Sequence, residues 1–236
     1  MIPKRIICTN ICRSLLKPKL DECVARMEAL HPDWEVVFFS DGDCRDLIQT
    51  HCPQYKELYD WYPRPVLKAD FFRVAAVHAL GGFYFDTDLW LYESVAPLRK
   101  HEAVFPWEWT MDLDEFSRRY TEEEKKTIKR RQVGNYAFGA EAGHPFLRAL
   151  MSEMVARTEM FDAESCYDTD VLRATGPDMV TCVYYREPEK WRSLELLTGV
   201  RSTTGPQHEN TNWPEDWHRF GKYGIHLLSG TWRGGR

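Results

Sequence analysis

The sequence contains no long hydrophobic run. Although 43% of its 236 residues are hydrophobic, no apolar stretch approaches the roughly 20 residues that cross a bilayer. With Met1-Ile2-Pro3-Lys4-Arg5 leading straight into a short apolar segment, the expectation is a cytoplasmic protein. A positive balance is missing as well: 31 basic against 36 acidic residues give a formal charge of −5, which offers no overall attraction to nucleic acid. Arg219, Lys222, Arg233 and Arg236 near the C-terminus are candidates for peripheral contact with an anionic membrane face, and are also ordinary solubilising residues. The seven cysteines are an odd number without CxxC spacing, which argues against a zinc ribbon and a complete disulfide framework and predicts reduced thiols. Neither repeats nor a low-complexity linker is present, and the length suits one domain with one sizeable core.

What the sequence does hold begins with an alternation of elements. Ile6-Ile7-Cys8 reads as a buried strand, and Leu20, Cys23, Val24 and Met27 fall at helical spacing after Pro18, which suits a first helical turn. Trp34 to Phe39 form a second apolar strand, ending at Ser40-Asp41-Gly42-Asp43, a turn before another short helix. Such β-α-β-α order implies parallel neighbours with helices on the sheet faces and ligands beyond the carboxyl ends of the strands, where Thr9, Asn10, Ser40 and Asp41 lie. A helix from about Pro65 to Leu80 is closed by Gly81-Gly82, because glycine takes the left-handed conformation cheaply. Phe83-Tyr84-Phe85 then leads into Asp86-Thr87-Asp88. The charge-dense residues 112 to 131 predict a solvated helix or an insertion over the site. Val133 to Ala140, Leu194 to Thr198 and Ile225 to Leu228 read as later strands, with a helix after His144-Pro145.

Asp86 and Asp88 sit between apolar residues, where two carboxylates are costly to desolvate without a cation. If the strand continues, residues two apart face one side, and both carboxylates reach one divalent ion. A lone D-x-D is weak, since solvated turns carry it by chance. In the preceding helix Lys68, Asp70 and Arg73 interrupt an apolar pattern of Val66, Leu67, Phe71, Phe72, Val74 and Val77. Asp70 and Arg73 are one turn apart, which by itself describes a surface ion pair worth a few tenths of a kcal/mol. Such a pair does not account for the Gly-Gly, strand and D-x-D that follow so closely.

Lys68-Ala69-Asp70-x-x-Arg73 followed by Gly81-Gly82-x-Tyr84-x-Asp86-x-Asp88 resembles the signature of glycosyltransferases with a DXD sugar-binding region. That family, glycosyltransferase family 32-like, includes initiating mannosyltransferases and capsular-polysaccharide transferases, and the arrangement is similar to that of clostridial glucosylating toxins. Asn135-Tyr-Ala-Phe-Gly-Ala-Glu-Ala-Gly-His-Pro145 resembles the family's central segment, Thr175-Gly176-Pro177 its next one, and His226-x-x-Ser229-x-x-Trp232 its closing motif. The matches run from Ile2-Pro3-Lys4 to Trp232. Where relatives carry His-Gln and then Trp, this chain has Cys8-Thr9-Asn10.

The resemblance implies an α/β fold of GT-A type, a single domain with a Rossmann-like mixed central sheet flanked by helices. A nucleotide-binding half covers about 1–100 and an acceptor-side half about 101–236. It implies a retaining, metal-dependent transfer of a hexose from a UDP- or GDP-sugar to a glycan, glycolipid or protein hydroxyl. Asp88 would ligate Mn²⁺ or Mg²⁺, Asp86 would bind the metal or the donor's ribose and sugar, and His226 would complete the metal shell. Asp70 and Arg73 would hold the sugar's hydroxyls, and Ser229 and Trp232 would contact the diphosphate as a lid. Carboxylates with imidazole suit Mn²⁺. Thr9, Asn10, Asp41, Lys68 and Tyr84 complete the donor-binding candidates. On the acceptor side Asn135 is a candidate orienter or a turn residue, Trp107 and Trp109 a stacking platform or core, and Asp178 an acceptor contact or the first turn of a helix. The competing readings are a non-catalytic nucleotide-sugar or glycan-binding module of the same fold, and a glycoside hydrolase, whose two acids stand roughly 5 to 10 Å apart across a cleft.

Overall fold

The computed structural model describes residues 1–158, 165–208, 214 and 216–230. Strands β1 (Arg5–Thr9), β2 (Glu35–Phe39) and β3 (Gly82–Phe85) form the parallel part of the main sheet, with β1 in the middle. The sheet continues from β3 to β7 (Ala137–Ala140) and β5 (Ala103–Thr110), each pair antiparallel. At the far edge β5 also pairs β6 (Arg131–Val133) and, in parallel, β8 (Leu194–Leu197). A second, three-stranded sheet is built from β4 (Leu89–Leu91), β9 (Arg219–Phe220) and β10 (Gly224–His226). The expected mixed α/β architecture is what the chain adopts.

Helix α1 (Pro18–Leu30) packs one face of the sheet, with Met27 against Ile6, Phe83 and Phe85. The other face carries α2 (Asp41–His51), α4 (Pro65–Leu80), α6 (Pro145–Arg157) and α8 (Pro177–Arg186), which share a core around Phe71, Phe105, Phe138 and Phe146. Ser40 caps α2 through a capping box with Asp43, satisfying amides that the first helical turn leaves open. Apolar on nearly all sides, α4 is the central helix, as an all-round hydrophobic pattern requires. It ends at Gly81, φ +65°, and Gly82, φ +116°. A Cβ at Gly82 would lie 2.8 Å from the Arg5 carbonyl oxygen, so β3 can approach β1 only with glycine there.

The structure differs from the sequence expectations in four places. A short α3 (Lys56–Trp61) precedes α4. The single strand expected over 133–140 is β6 and β7, separated by Gly134-Asn135-Tyr136. Of residues 112–131, only α5 (Leu113–Arg119), one 3₁₀ turn at Glu124–Lys126 and Arg131 at the start of β6 are regular structure. A further short helix, α7 (Asp168–Ala174), leads into α8.

Candidate metal and donor site

The β3 strand does not continue through the D-x-D residues. Asp86-Thr87-Asp88 is a turn in which the Leu89 amide donates to the Asp86 carbonyl at 2.9 Å and the Asp86 amide to the Tyr136 carbonyl at 2.9 Å. The convergence of the two carboxylates therefore comes from the turn and not from strand alternation. After the turn β4 runs antiparallel to β10, in a register that sets His226 opposite Leu89. One ligand atom from each of Asp86, Asp88 and His226 then lies within 4.8 Å of the others. His226 Nε2 is 3.0 Å from Asp88 Oδ1 and 3.8 Å from Asp86 Oδ2. Ser229 donates to Asp88 Oδ2 from its amide at 2.9 Å and its hydroxyl at 2.6 Å.

Behind the turn stands the α4 pair. Asp70 and Arg73 are 4% and 6% exposed, which rules out the surface ion pair. Arg73 Nη2 lies 3.2 Å from Asp70 and 3.3 Å from Asp86, and Nη1 donates to the Asn135 carbonyl at 3.0 Å. Asp70 accepts from Thr175 at 2.7 Å and from the Asn135 side chain at 3.2 Å. Tyr84 donates to Asp86 at 2.7 Å, and its ring lies under the Arg73 guanidinium at 4.9 Å. Asn135, expected on the acceptor side, thus braces the Asp70–Arg73 pair.

Three carboxylates face one guanidinium and one imidazole in this cluster. Burial raises the Asp86 carboxyl above its ordinary range, and Arg73 and His226 only partly counter it. Burial acts the same way on Asp88, but His226 and Ser229 outweigh it and hold that carboxyl well below the usual range. For His226, burial pulls the imidazole down and Asp88, with Asp86, pulls it up further. A proton on the imidazole therefore does what a divalent cation among these ligands would do, which is to compensate buried negative charge. The oxygen and nitrogen ligand set fits a divalent cation.

The other expected residues are distributed as follows. Asn10 donates to Thr87 at 3.3 Å, joining the β1 end to the turn. Thr9 donates to the Phe39 carbonyl, and Asp41 is exposed at the start of α2. Lys68 turns its ammonium toward Tyr59, 5.9 Å from the ring centre. Trp107 packs between Tyr184 and Tyr185 beneath Arg131, and Trp109 donates to Gln132. Asp178 is sealed among Arg119, Tyr120 and Gln132. Trp232 lies outside the described residues.

Sequence reasoning did not find Tyr136, Glu108 and His218. Tyr136 stacks on His226 with ring centres 4.6 Å apart and planes 9° from parallel, and Glu108 meets His218 at 2.9 Å. A glutamate inside the apolar stretch Phe105-Pro106-Trp107-Glu108-Trp109 was the one signal available.

Residues 18–105 match the family described as glycosyltransferase sugar-binding region containing DXD motif. The chain is 28% identical to inositol phosphoceramide mannosyltransferase 3 of Schizosaccharomyces pombe, over 70% of this chain and 39% of that protein. It is 24% identical to the initiation-specific alpha-1,6-mannosyltransferase of Candida albicans, over 87% of this chain and 65% of the other. The chain thus spans less than two thirds of either relative. Among solved structures the fold is similar to PaToxG glycosyltransferase, with a TM-score of 0.56 at 14% identity, covering 81% of this chain and 72% of that one. Among the described residues no helix is long and apolar enough to cross a membrane.

Proposed function

From a chain whose residues 18–105 match the glycosyltransferases with a DXD sugar-binding region, we propose that this protein transfers a hexose from a nucleotide sugar to an acceptor hydroxyl. The reaction is metal-dependent and retains anomeric configuration. The observation that carries the reading is the convergence of Asp86, Asp88 and His226, backed by a buried Asp70–Arg73 pair. Both relatives are named for mannosyl transfer, so mannose is the first sugar to test. The acceptor is a glycan, glycolipid or protein hydroxyl.

Asp86, Asp88 and His226 would hold the divalent cation, whose chemistry is to offset the charge that builds on the diphosphate as the nucleotide departs. The chain's own contribution is position and fixed charge. Arg73 is locked by Asp70, Asp86 and Asn135, yet its Nε has no hydrogen-bond partner among the described residues. That N–H is buried, with Asp70 oriented beside it by Thr175 and Asn135. In a same-face transfer the bond from the anomeric carbon to the phosphate oxygen breaks, the bond to the acceptor oxygen forms, and the leaving phosphate takes the acceptor's proton. No protein nucleophile is required.

The test is release of free nucleotide from a panel of GDP- and UDP-hexoses with Mn²⁺ or Mg²⁺, beside thermal-shift measurements of the same mixtures, since a bound donor stabilises the fold according to its affinity. Metal-dependent stabilisation with nucleotide release is expected for one donor. Stabilisation without release, with and without acceptors, would mark a binding module instead.

A further inference from the structure

The C-terminal arm that brings His226 and Ser229 to Asp88 is built with unusual backbone. Among the described residues only His218 (φ 47°) and Leu228 (φ 54°) are non-glycines in the left-handed region, a strained conformation that persists where surrounding contacts enforce it. Both flank the candidate ligand. Leu228 stands between His226 and Ser229, and the His218 carbonyl accepts the His226 amide at 2.9 Å.

His218 is held at two points by one residue. Its amide donates to the Glu108 carbonyl at 2.8 Å, and its Nδ1 lies 2.9 Å from Glu108 Oε1. Glu108 itself is buried on β5, an element of the main sheet, whereas β9 and β10 belong to the small one. The Glu108–His218 contact therefore ties the arm that carries His226 to the rigid sheet. Metal-ligating imidazoles are usually oriented through a hydrogen bond from their second nitrogen. His226 Nδ1 is buried and has no hydrogen-bond partner among the described residues. Its ring is placed instead by the Tyr136 stack, and its backbone hangs on His218.

We infer that Glu108 is a positioning residue for His226, acting through the left-handed His218. The inference rests on the proposed metal reading. It assigns to Glu108 no contact with substrate.

The experiment measures Mn²⁺ affinity directly, by calorimetry or by the resonance signal of free Mn²⁺, on the whole chain and its variants. Glu108→Ala and His218→Ala are expected to weaken binding about tenfold or more, the size seen when outer contacts of a metal site are lost. Glu108→Gln, which keeps the shape and an accepting oxygen, is expected to stay within about threefold of the parent. His218→Gly is expected to bind better than His218→Ala, because glycine takes the left-handed backbone without strain. Melting curves of the metal-free variants identify any that fail to fold. If Glu108→Ala is among them, the Gln variant and the His218 pair decide. Equal affinity of parent, Glu108→Ala and both His218 variants, beside a weakened His226→Ala, overturns the positioning role alone. A parent that binds no Mn²⁺, or binds it equally well after His226→Ala, removes the metal reading itself.

Discussion

Asp70 and Asp178 are both sealed on helices, each beside an arginine and two neutral donors, and they make a useful pair to compare. Asp178 is closed: Arg119, Tyr120 and Gln132 all donate to its Oδ1, and the second acid on Arg119, Glu115 at 3.4 Å, is only partly buried. Asp70 is open-ended. Its arginine is shared with Asp86, Asp86 adjoins Asp88, and Asp88 meets His226. Three acids follow one another along that chain of contacts, and two of them converge with His226 on one point, so the cluster has room for added positive charge there, whereas Asp178 meets no second acid directly. Burial and a perturbed carboxyl are thus common to both, and the surplus of negative charge at converging ligand atoms is what distinguishes a candidate site from an internal brace.

The largest effect is expected from Asp88→Asn. It keeps the size of the side chain but removes one of the two D-x-D carboxylates and its hold on His226 and Ser229. Nucleotide release is expected to fall at least about 100-fold, more than for loss of an outer contact, with melting curves of the metal-free protein reporting whether the variant folds. A variant that turns over within a few-fold of the parent would make Asp88 no more functional than Asp178.

Next in size is Arg73→Met, which leaves Asp70 and Asp86 buried without their shared cation. Removing one partner of a buried pair costs about 3–5 kcal/mol, to be read from urea unfolding. An unchanged midpoint would mean that Asp70 is neutral in the folded protein. Such neutrality is the direction in which burial already pushes it.

Why the D-x-D cluster was legible in the sequence and its surroundings were not follows from distance along the chain. Asp70, Arg73, Gly81, Gly82, Asp86 and Asp88 lie within 19 positions, on one helix, one turn and one strand whose periodicities are local. The strand-helix order of the first 90 residues, the short α3 apart, was readable for the same reason. The contact of Asn135 with Asp70 spans 65 positions, and that of Ser229 with Asp88 spans 141. Both depend on β7 and β10 pairing with earlier strands, and no local pattern specifies such register. Glu108 and His218 are further removed from sequence reading: one is an isolated acid in an aromatic strand, the other a histidine whose backbone conformation no side-chain pattern announces.

The smallest expected effect tests the closed cluster. Burial, set against Arg119, Tyr120 and Gln132, pushes the Asp178 carboxyl up from its ordinary 3.8 to about 6. A carboxyl raised on folding binds its proton more tightly in the native state. Its stabilising contribution is therefore complete below pH 4 and is lost as pH rises toward about 6. At about 1.4 kcal/mol for each pH unit of difference, the loss is on the order of 2–3 kcal/mol. Asp178→Asn keeps an oxygen for the three donors and places its amide where Oδ2 has no hydrogen-bond partner among the described residues. Other titrations cancel when parent and variant are compared at each pH by urea unfolding. The stability of Asp178→Asn relative to the parent should rise between pH 4 and pH 7 and then level off. A difference that is flat with pH would mean that Arg119 keeps Asp178 ionised throughout. The two clusters would then differ only in how many acids each holds.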